Sequence, residues 1–181
     1  CMNNKGVTMI ELIVVVTIVS ILVVALGFEF QGWMGRYRTE SQTKTMYVDL
    51  MNTRARAMQR NRAHFVTLPS AANATSYSIF EDNNPAPDGD NILQTAADTL
   101  LQTYPKTVEY GMNWNWNGGG TTITLDREGI VTPSGTLYAF ADRDGNGIDD
   151  FDSDYSCIVI FATRINMGKC NGVNCATCGA K

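Results

Sequence analysis

Histidine is almost missing from this chain: 181 residues contain one, His64. That excludes a metal or haem centre built on several histidines. Charge is also sparse, at 18% of residues, below the quarter or so usual for globular chains. With ample glycine, this argues against a disordered or coiled-coil chain. The formal net charge is −4, so nothing overall suits the chain to holding nucleic acid. No Gly-x-Ser-x-Gly occurs, and the acidic residues gather in one turn instead of forming separated pairs. An enzyme is therefore the least supported class.

Long apolar runs are concentrated in residues 7–28. Val7 to Phe28 is 22 residues with one charge, Glu11. At 1.5 Å per residue this makes roughly 33 Å of helix, enough to cross the hydrocarbon core of a bilayer. A secretory signal has a shorter apolar core ending at a small-x-small cleavage site, and no such site ends this run. A plain membrane anchor with Lys5 on the inner side would satisfy the positive-inside rule. Glu11 makes that insufficient. A carboxylate inside an apolar stretch is expensive unless it finds a partner, and a positive charge from another chain would serve.

The segment Lys5-Gly6-Val7-Thr8-Met9-Ile10-Glu11-Leu12-Ile13-Val14-Val15 resembles the class III signal of type IV pilins and type II secretion pseudopilins. In that family a short basic leader ends in Gly, and usually Phe-Thr-Leu-Ile-Glu-Leu and an apolar helix follow. The resemblance implies cleavage between Gly6 and Val7 by a membrane-bound prepilin peptidase and N-methylation of Val7. It also implies pairing of Glu11 with the N-terminal amine of a neighbouring subunit during assembly. A buried carboxylate and a buried ammonium each cost several kcal/mol alone, so registering one with the other relieves both. Two departures stand out. Val7 replaces the common Phe, and Phe28 stands where a proline is often found, with Gly27, Gly32 and Gly35 available to weaken the helix at about 1 kcal/mol each relative to Ala. Because the leader is present, the sequence is expected to be that of a precursor.

From Gln31 to Arg62 no proline interrupts, and the helix is expected to continue as an amphipathic stalk. Tyr47, Leu50, Met51, Ala55 and Met58 mark its expected core-facing stripe. Arg54, Arg56, Arg60 and Arg62 fall largely off that stripe and read as a solvated face suited to the helix C-terminus. The passage from Leu50 to Leu68, with Ala-Arg-Ala-Met-Gln-Arg-Asn ahead of a strand ending in Val-Thr-Leu, is similar to the helix-to-strand passage of GspH/FimT-type minor pilins.

After Pro69 the pattern changes to short alternating runs. Strands are expected at 64–68, 76–80, 107–111, 121–125, 136–140 and 156–163. The fold class is thus α+β: a long hydrophobic N-terminal helix with a β-rich head in two antiparallel sheets. Its divisions are a leader (1–6), a membrane or filament-core helix (7–30), an amphipathic continuation (31–62) and a head with a cysteine-rich tail (63–181). Asn113 to Gly120 is expected to be a strand end and hairpin, with Trp114 and Trp116 packing on one face; an aromatic binding platform is the alternative.

Asp142-Arg143-Asp144-Gly145-Asn146-Gly147 matches the opening of a calcium loop, in which alternating oxygen donors wrap one cation. The candidate ligands are Asp142, Asp144, Asn146, Ile148, Asp150, Asp152 and Asp154. Ser153 stands where an EF-hand closes with glutamate, and strands flank the loop. The competing reading is a polar turn whose aspartates cap their own backbone. Calcium is the one cofactor the sequence admits. Of five cysteines, Cys1 lies in the leader. Cys157, Cys170, Cys175 and Cys178 form two disulfides in an exported head, in any of three pairings, or else hold zinc or an iron–sulfur centre.

The resemblance implies a single-pass inner-membrane protein with a periplasmic head that then enters a pilus or pseudopilus. Expected partners are other pilins or pseudopilins, prepilin peptidase and the inner-membrane assembly platform; nucleic acid is disfavoured. The function implied is a minor pilin or pseudopilin that initiates, primes or caps assembly. The alternatives are a bulk filament subunit or a tip adhesin binding DNA or a surface.

Overall fold

The computed structural model describes residues 6–86, 89–101, 104–116, 120–139, 141–142 and 146–180, with backbone alone at 25–31 and 180. The chain divides into two compact units, Cys1–Gly35 and Arg36–Lys181. One helix, α1 (Met9–Arg60), contributes to both.

In the first unit every described side chain from Gly6 to Val24 is exposed, so this stretch has no core of its own. Its hydroxyls are satisfied locally: Thr17 Oγ1 donates to the Val14 carbonyl at 2.8 Å and Ser20 Oγ to Val16 at 2.7 Å. Such back-bonding lets a hydroxyl sit in an apolar helix without an outside partner. The expected span to Phe28 continues into side chains outside the described residues. Among the described residues, no helix is long and apolar enough to cross a membrane.

In the second unit α1 ends at Arg60, because Asn61 turns to φ 53° and the Arg62 N–H returns to the Ala57 carbonyl at 3.1 Å. This left-handed closure is a stop that asparagine tolerates. Among the described residues ten strands follow: β1 (His64–Thr67), β2 (Ala74–Glu81), β3 (Thr99–Leu100), β4 (Lys106–Trp116), β5 (Thr122–Leu125), β6 (Val131–Thr132), β7 (Gly135–Ala139), β8 (Cys157–Ile160), β9 (Ile165–Asn171) and β10 (Thr177–Ala180). They join in the order β10-β9-β8-β7-β4-β2-β1-β5-β6, with β3 beside β2, and every pairing is antiparallel. The two antiparallel sheets expected from sequence are instead one continuous antiparallel sheet, because β2 pairs on both sides. Its first half pairs with β4 and its second half with β1.

The expected helix stripe holds at Leu50 and at Tyr47, which packs against the core, and is corrected elsewhere. The buried face of α1 is Thr39, Thr43, Met46, Leu50, Thr53 and Ala57, while Met51 and Met58 are exposed. Threonine takes part because its hydroxyl is satisfied inside the helix, Thr43 on the Thr39 carbonyl at 3.0 Å and Thr53 on Asp49 at 2.6 Å. The methyl groups are then free to pack. Met46, Leu50 and Ala57 join Val66, Ile79, Ile123, Leu137 and Ile158 in the main core. On a separate side Phe65 and Phe80, directly opposite each other on β1 and β2, pack with Ala63 and Leu93.

The hairpin expected over 113–120 falls partly on residues 117–119, outside the described residues, and the strands on either side do not pair with each other. β4 pairs with β2 and β7, whereas β5 pairs with β1 and β6. The tryptophans do pack as expected: Trp114 is in the core and Trp116 lies against it, their ring centroids 6.0 Å apart.

Candidate functional site

The N-terminal segment holds the residues with the sharpest expectations. Gly6, Val7 and Thr8 precede the helix in irregular backbone, and all are exposed. A side chain at Gly6 would meet nothing within 4 Å. The Gly6–Val7 bond therefore lies in accessible, non-helical chain, as peptide cleavage requires.

Thr8 and Glu11 close the helix start. The Glu11 N–H donates to Thr8 Oγ1 at 3.3 Å, and the Thr8 N–H donates to Glu11 Oε2 at 3.2 Å. The Thr8 hydroxyl adds a third bond to Oε2 at 3.1 Å. This is a reciprocal capping box, and a carboxylate in the first turn also suits the positive end of the helix. Sequence reasoning treated Glu11 as an assembly carboxylate alone. The Thr-x-x-Glu spacing was the signal that it also caps.

The acidic loop binds its own backbone. Asp142 accepts the Asn146 and Gly147 N–H groups at 3.1 and 2.8 Å, and Asn146 Oδ1 accepts Ile148 N–H at 2.7 Å. Asp149, which was outside the candidate set, accepts from Phe151 and Ser153 at 3.3 and 2.9 Å. Asp152 adopts φ 47° and pairs with Lys169 at 2.6 Å. The Asp150 N–H donates to the Ala141 carbonyl at 2.9 Å. The loop is also tied to α1, where Arg36 donates to the Phe151 carbonyl at 2.9 Å and Glu40 accepts the Asp154 N–H at 3.1 Å. Asp144 lies outside the described residues. Among the described ones, no three carboxylates come close enough to share an ion, whereas calcium takes six to eight oxygens.

The cysteines form two disulfides, Cys157–Cys178 and Cys170–Cys175. Of the three possible pairings, this one ties β10 to β8 and closes the β9–β10 turn. The tail is thereby held where it has little apolar material to bury.

Two polar clusters lay outside the sequence-based expectations. On the helix face, buried Asp49 accepts a hydrogen bond from Tyr77 Oη and pairs with Lys106 at 2.6 Å. Burial, followed by the bond to Asp49, pushes the Tyr77 hydroxyl well above its ordinary value. At the end of the helix, buried Glu81 takes Arg60 at 2.6 Å and Arg62 at 3.4 Å. Those two arginines thus hold β2 instead of merely covering a solvated face. Beside them His64 is fully buried. Its Nδ1 lies 3.2 Å from the Arg62 carbonyl, and its Nε2 has no hydrogen-bond partner among the described residues. Burial holds this imidazole below its usual value, against the opposing pull of the Arg62 carbonyl and Glu81.

A groove of about 480 Å³ runs beside α1, lined by Tyr37, Arg38, Ser41, Gln42 and the first half of β4.

The family model for the prokaryotic N-terminal methylation motif matches residues 1–27. The model for the type II transport protein GspH matches residues 42–162, well over half of the chain. The first match contains Gly6, Val7 and Glu11; the second contains the helix-to-strand passage and the acidic loop. No curated protein and no solved structure matches the chain.

Proposed function

The chain belongs to the GspH family of type IV pilin-like proteins, and from that membership we propose that it is a minor pilin or pseudopilin that primes or caps a filament. Proteins of this family are structural components that assemble with other pilins through a membrane platform, and we assign this chain no catalysis. Prepilin peptidase removes residues 1–6, the new amino group of Val7 is methylated, and the apolar helix anchors the protein in the inner membrane with its head in the periplasm. Glu11 then pairs with the amine of a neighbouring subunit as the helix enters the pilus or pseudopilus.

The observation that carries this reading is the order of features along fifteen residues or so. An open Gly6–Val7 bond leads into a capped helix start with a carboxylate, and then into apolar side chains that none of the described residues covers. Exposed apolar surface on this scale marks a membrane or protein interface. The test is quantitative mass spectrometry of sheared surface filaments against the membrane fraction. A chain beginning at Val7 and present in trace amount relative to the dominant pilin is the expected result. Dominance in the filament would make it the bulk subunit, and an intact Cys1–Gly6 leader in assembled filaments would overturn the processing step.

A further inference from the structure

We propose that the four tail cysteines have a second closed state, in which the reduced Cys157, Cys170, Cys175 and Cys178 hold one zinc ion, or a similarly thiophilic divalent cation, as a tetrathiolate. The inference stands apart from the filament role and rests on how tightly two separate disulfides are gathered. The sulfurs of Cys170 and Cys175, which form one bridge, lie within 4.8 Å of the sulfur of Cys157, which belongs to the other. The fourth sulfur, of Cys178, stands outside that group but is bonded to Cys157.

The backbone makes this gathering specific. Cys178 of β10 sits directly opposite Cys170 of β9, and Cys157 of β8 sits opposite Gly168 of β9. Three ligands thus come from adjacent strands. Cys175 comes from the turn between β9 and β10, where Asn174 and Cys175 both take φ 52°. The strands approach closely beside it: a Cβ at Gly168 would lie 2.4 Å from the Gly179 carbonyl oxygen and 3.0 Å from Cys178 Sγ. Cys157 and Cys175 are buried. A closed four-sulfur cage containing a Cys-x2-Cys pair is what structural zinc takes.

The required movement is small. With zinc–sulfur bonds of about 2.3 Å, tetrahedral sulfurs stand roughly 3.8 Å apart. Cys157 and the sulfurs of the other bridge need close by only about 1 Å, Cys178 has to swing in from outside that group, and bonded sulfurs must part by about 2 Å, within reach of side-chain rotation. The chemistry balances with a dithiol reductant. Each S–S bond accepts two electrons and two protons, giving two thiols, while the dithiol becomes a disulfide. Zinc then displaces four protons from the four thiols. Oxidation closes the tail by disulfides and reduction closes it by metal, so β10 stays fixed in either condition.

The experiment uses the full chain in detergent with Cys1→Ser, so that the tail supplies the only thiols. After reduction by a phosphine without oxygen, zinc is added, unbound metal is removed and zinc per chain is measured. Cobalt is used in parallel as a spectroscopic probe, and amide exchange is followed on β9 and β10. The expected result is about one zinc per reduced chain and none in the oxidised chain. Cobalt should give the absorption of a tetrahedral all-sulfur site, and zinc should restore the exchange protection that reduction removes. Losing an outer-shell partner costs about 10- to 100-fold in metal affinity, so Cys175→Ser, losing a ligand, should weaken binding at least about 10-fold. Substoichiometric zinc, a cobalt spectrum of another geometry, unrestored protection, or undiminished binding by Cys175→Ser would each overturn the site. The exchange measurement separates a built site from thiols that merely capture metal on an unfolded tail.

Discussion

Two substitutions separate the two roles available to Glu11. Glu11→Gln keeps the side-chain length and an oxygen for the Thr8 N–H, so the capping box survives while the charge is lost. Thr8→Ala does the reverse: it removes the hydroxyl that accepts the Glu11 N–H at 3.3 Å and leaves the carboxylate in place. Loss of an N-cap hydroxyl costs about 1 kcal/mol, or roughly fivefold in an equilibrium. Unpairing a charge within an apolar filament core costs about 3–5 kcal/mol, roughly two to nearly four powers of ten. The charge effect wins by at least an order of magnitude. The assay compares each variant in sheared filaments with the same variant in the membrane, using a peptide that begins at Val7 to show that cleavage occurred. Glu11→Gln should be cleaved yet depleted from filaments by about a hundredfold or more, and Thr8→Ala by less than about tenfold. Equal, modest losses for both variants would refute intersubunit pairing and leave Glu11 as a helix cap.

Tyr77→Phe removes the hydroxyl bonded to buried Asp49. Lys106 remains on that carboxylate, but its side chain is 33% exposed and its pairing is screened by solvent. A loss of about 2 kcal/mol is expected, a fall in Tm of roughly 4–8 °C; an unchanged thermal melt would show that the hydroxyl is dispensable. His64 is held neutral by burial, so the unfolded chain takes up its proton first. Stability is full above the ordinary histidine value of 6.5 and declines as pH falls below it. Between about pH 7 and about pH 5, Tm should fall more steeply for the parent than for His64→Asn; parallel curves would remove His64 as the cause. Calcium is expected to leave Tm unchanged, because Asp142 already accepts two backbone N–H groups. A rise with calcium that a chelator reverses would instead make the loop a metal site.

The long helix, six of the strands and the pairing potential of the tail cysteines were legible because each rests on local pattern. β3 and β6 were not, being two residues each. β9 and β10 were hidden by the Gly, Asn and Cys content of a segment that reads as loop until β8 and the disulfides hold it. The helix face was misread for a different reason. Counting apolar residues favours Met51 and Met58, which are exposed, over Thr43 and Thr53, which are buried. Apolar count does not register a hydroxyl that the preceding helical turn satisfies. At Glu11 the opposite holds: a carboxylate in an apolar run has so few tolerable environments that one residue in context points to its partner.

The same distinction explains how the head is fastened to its own length of helix. Between Thr107, opposite Ser76, and Met112, opposite Ala74, β4 leaves its ladder with β2. Four β4 residues, Val108 to Gly111, therefore face one residue of β2, and their backbone groups need partners elsewhere. Gln42 supplies several. Its Oε1 accepts the Glu109 and Tyr110 N–H groups, both at 3.0 Å, and its Nε2 donates to the Tyr110 carbonyl at 2.7 Å. One helix side chain thus takes the place of a neighbouring strand, and Arg38 on Glu109 at 2.6 Å lies beside it. A bulge closed in this way does not offer those groups to another chain for strand addition. This stretch of β4, inside the sheet between β7 and β2, is thereby closed by the chain's own helix. The exposed apolar side chains and the one carboxylate of the N-terminal run lie in the first unit, where no such closure is made.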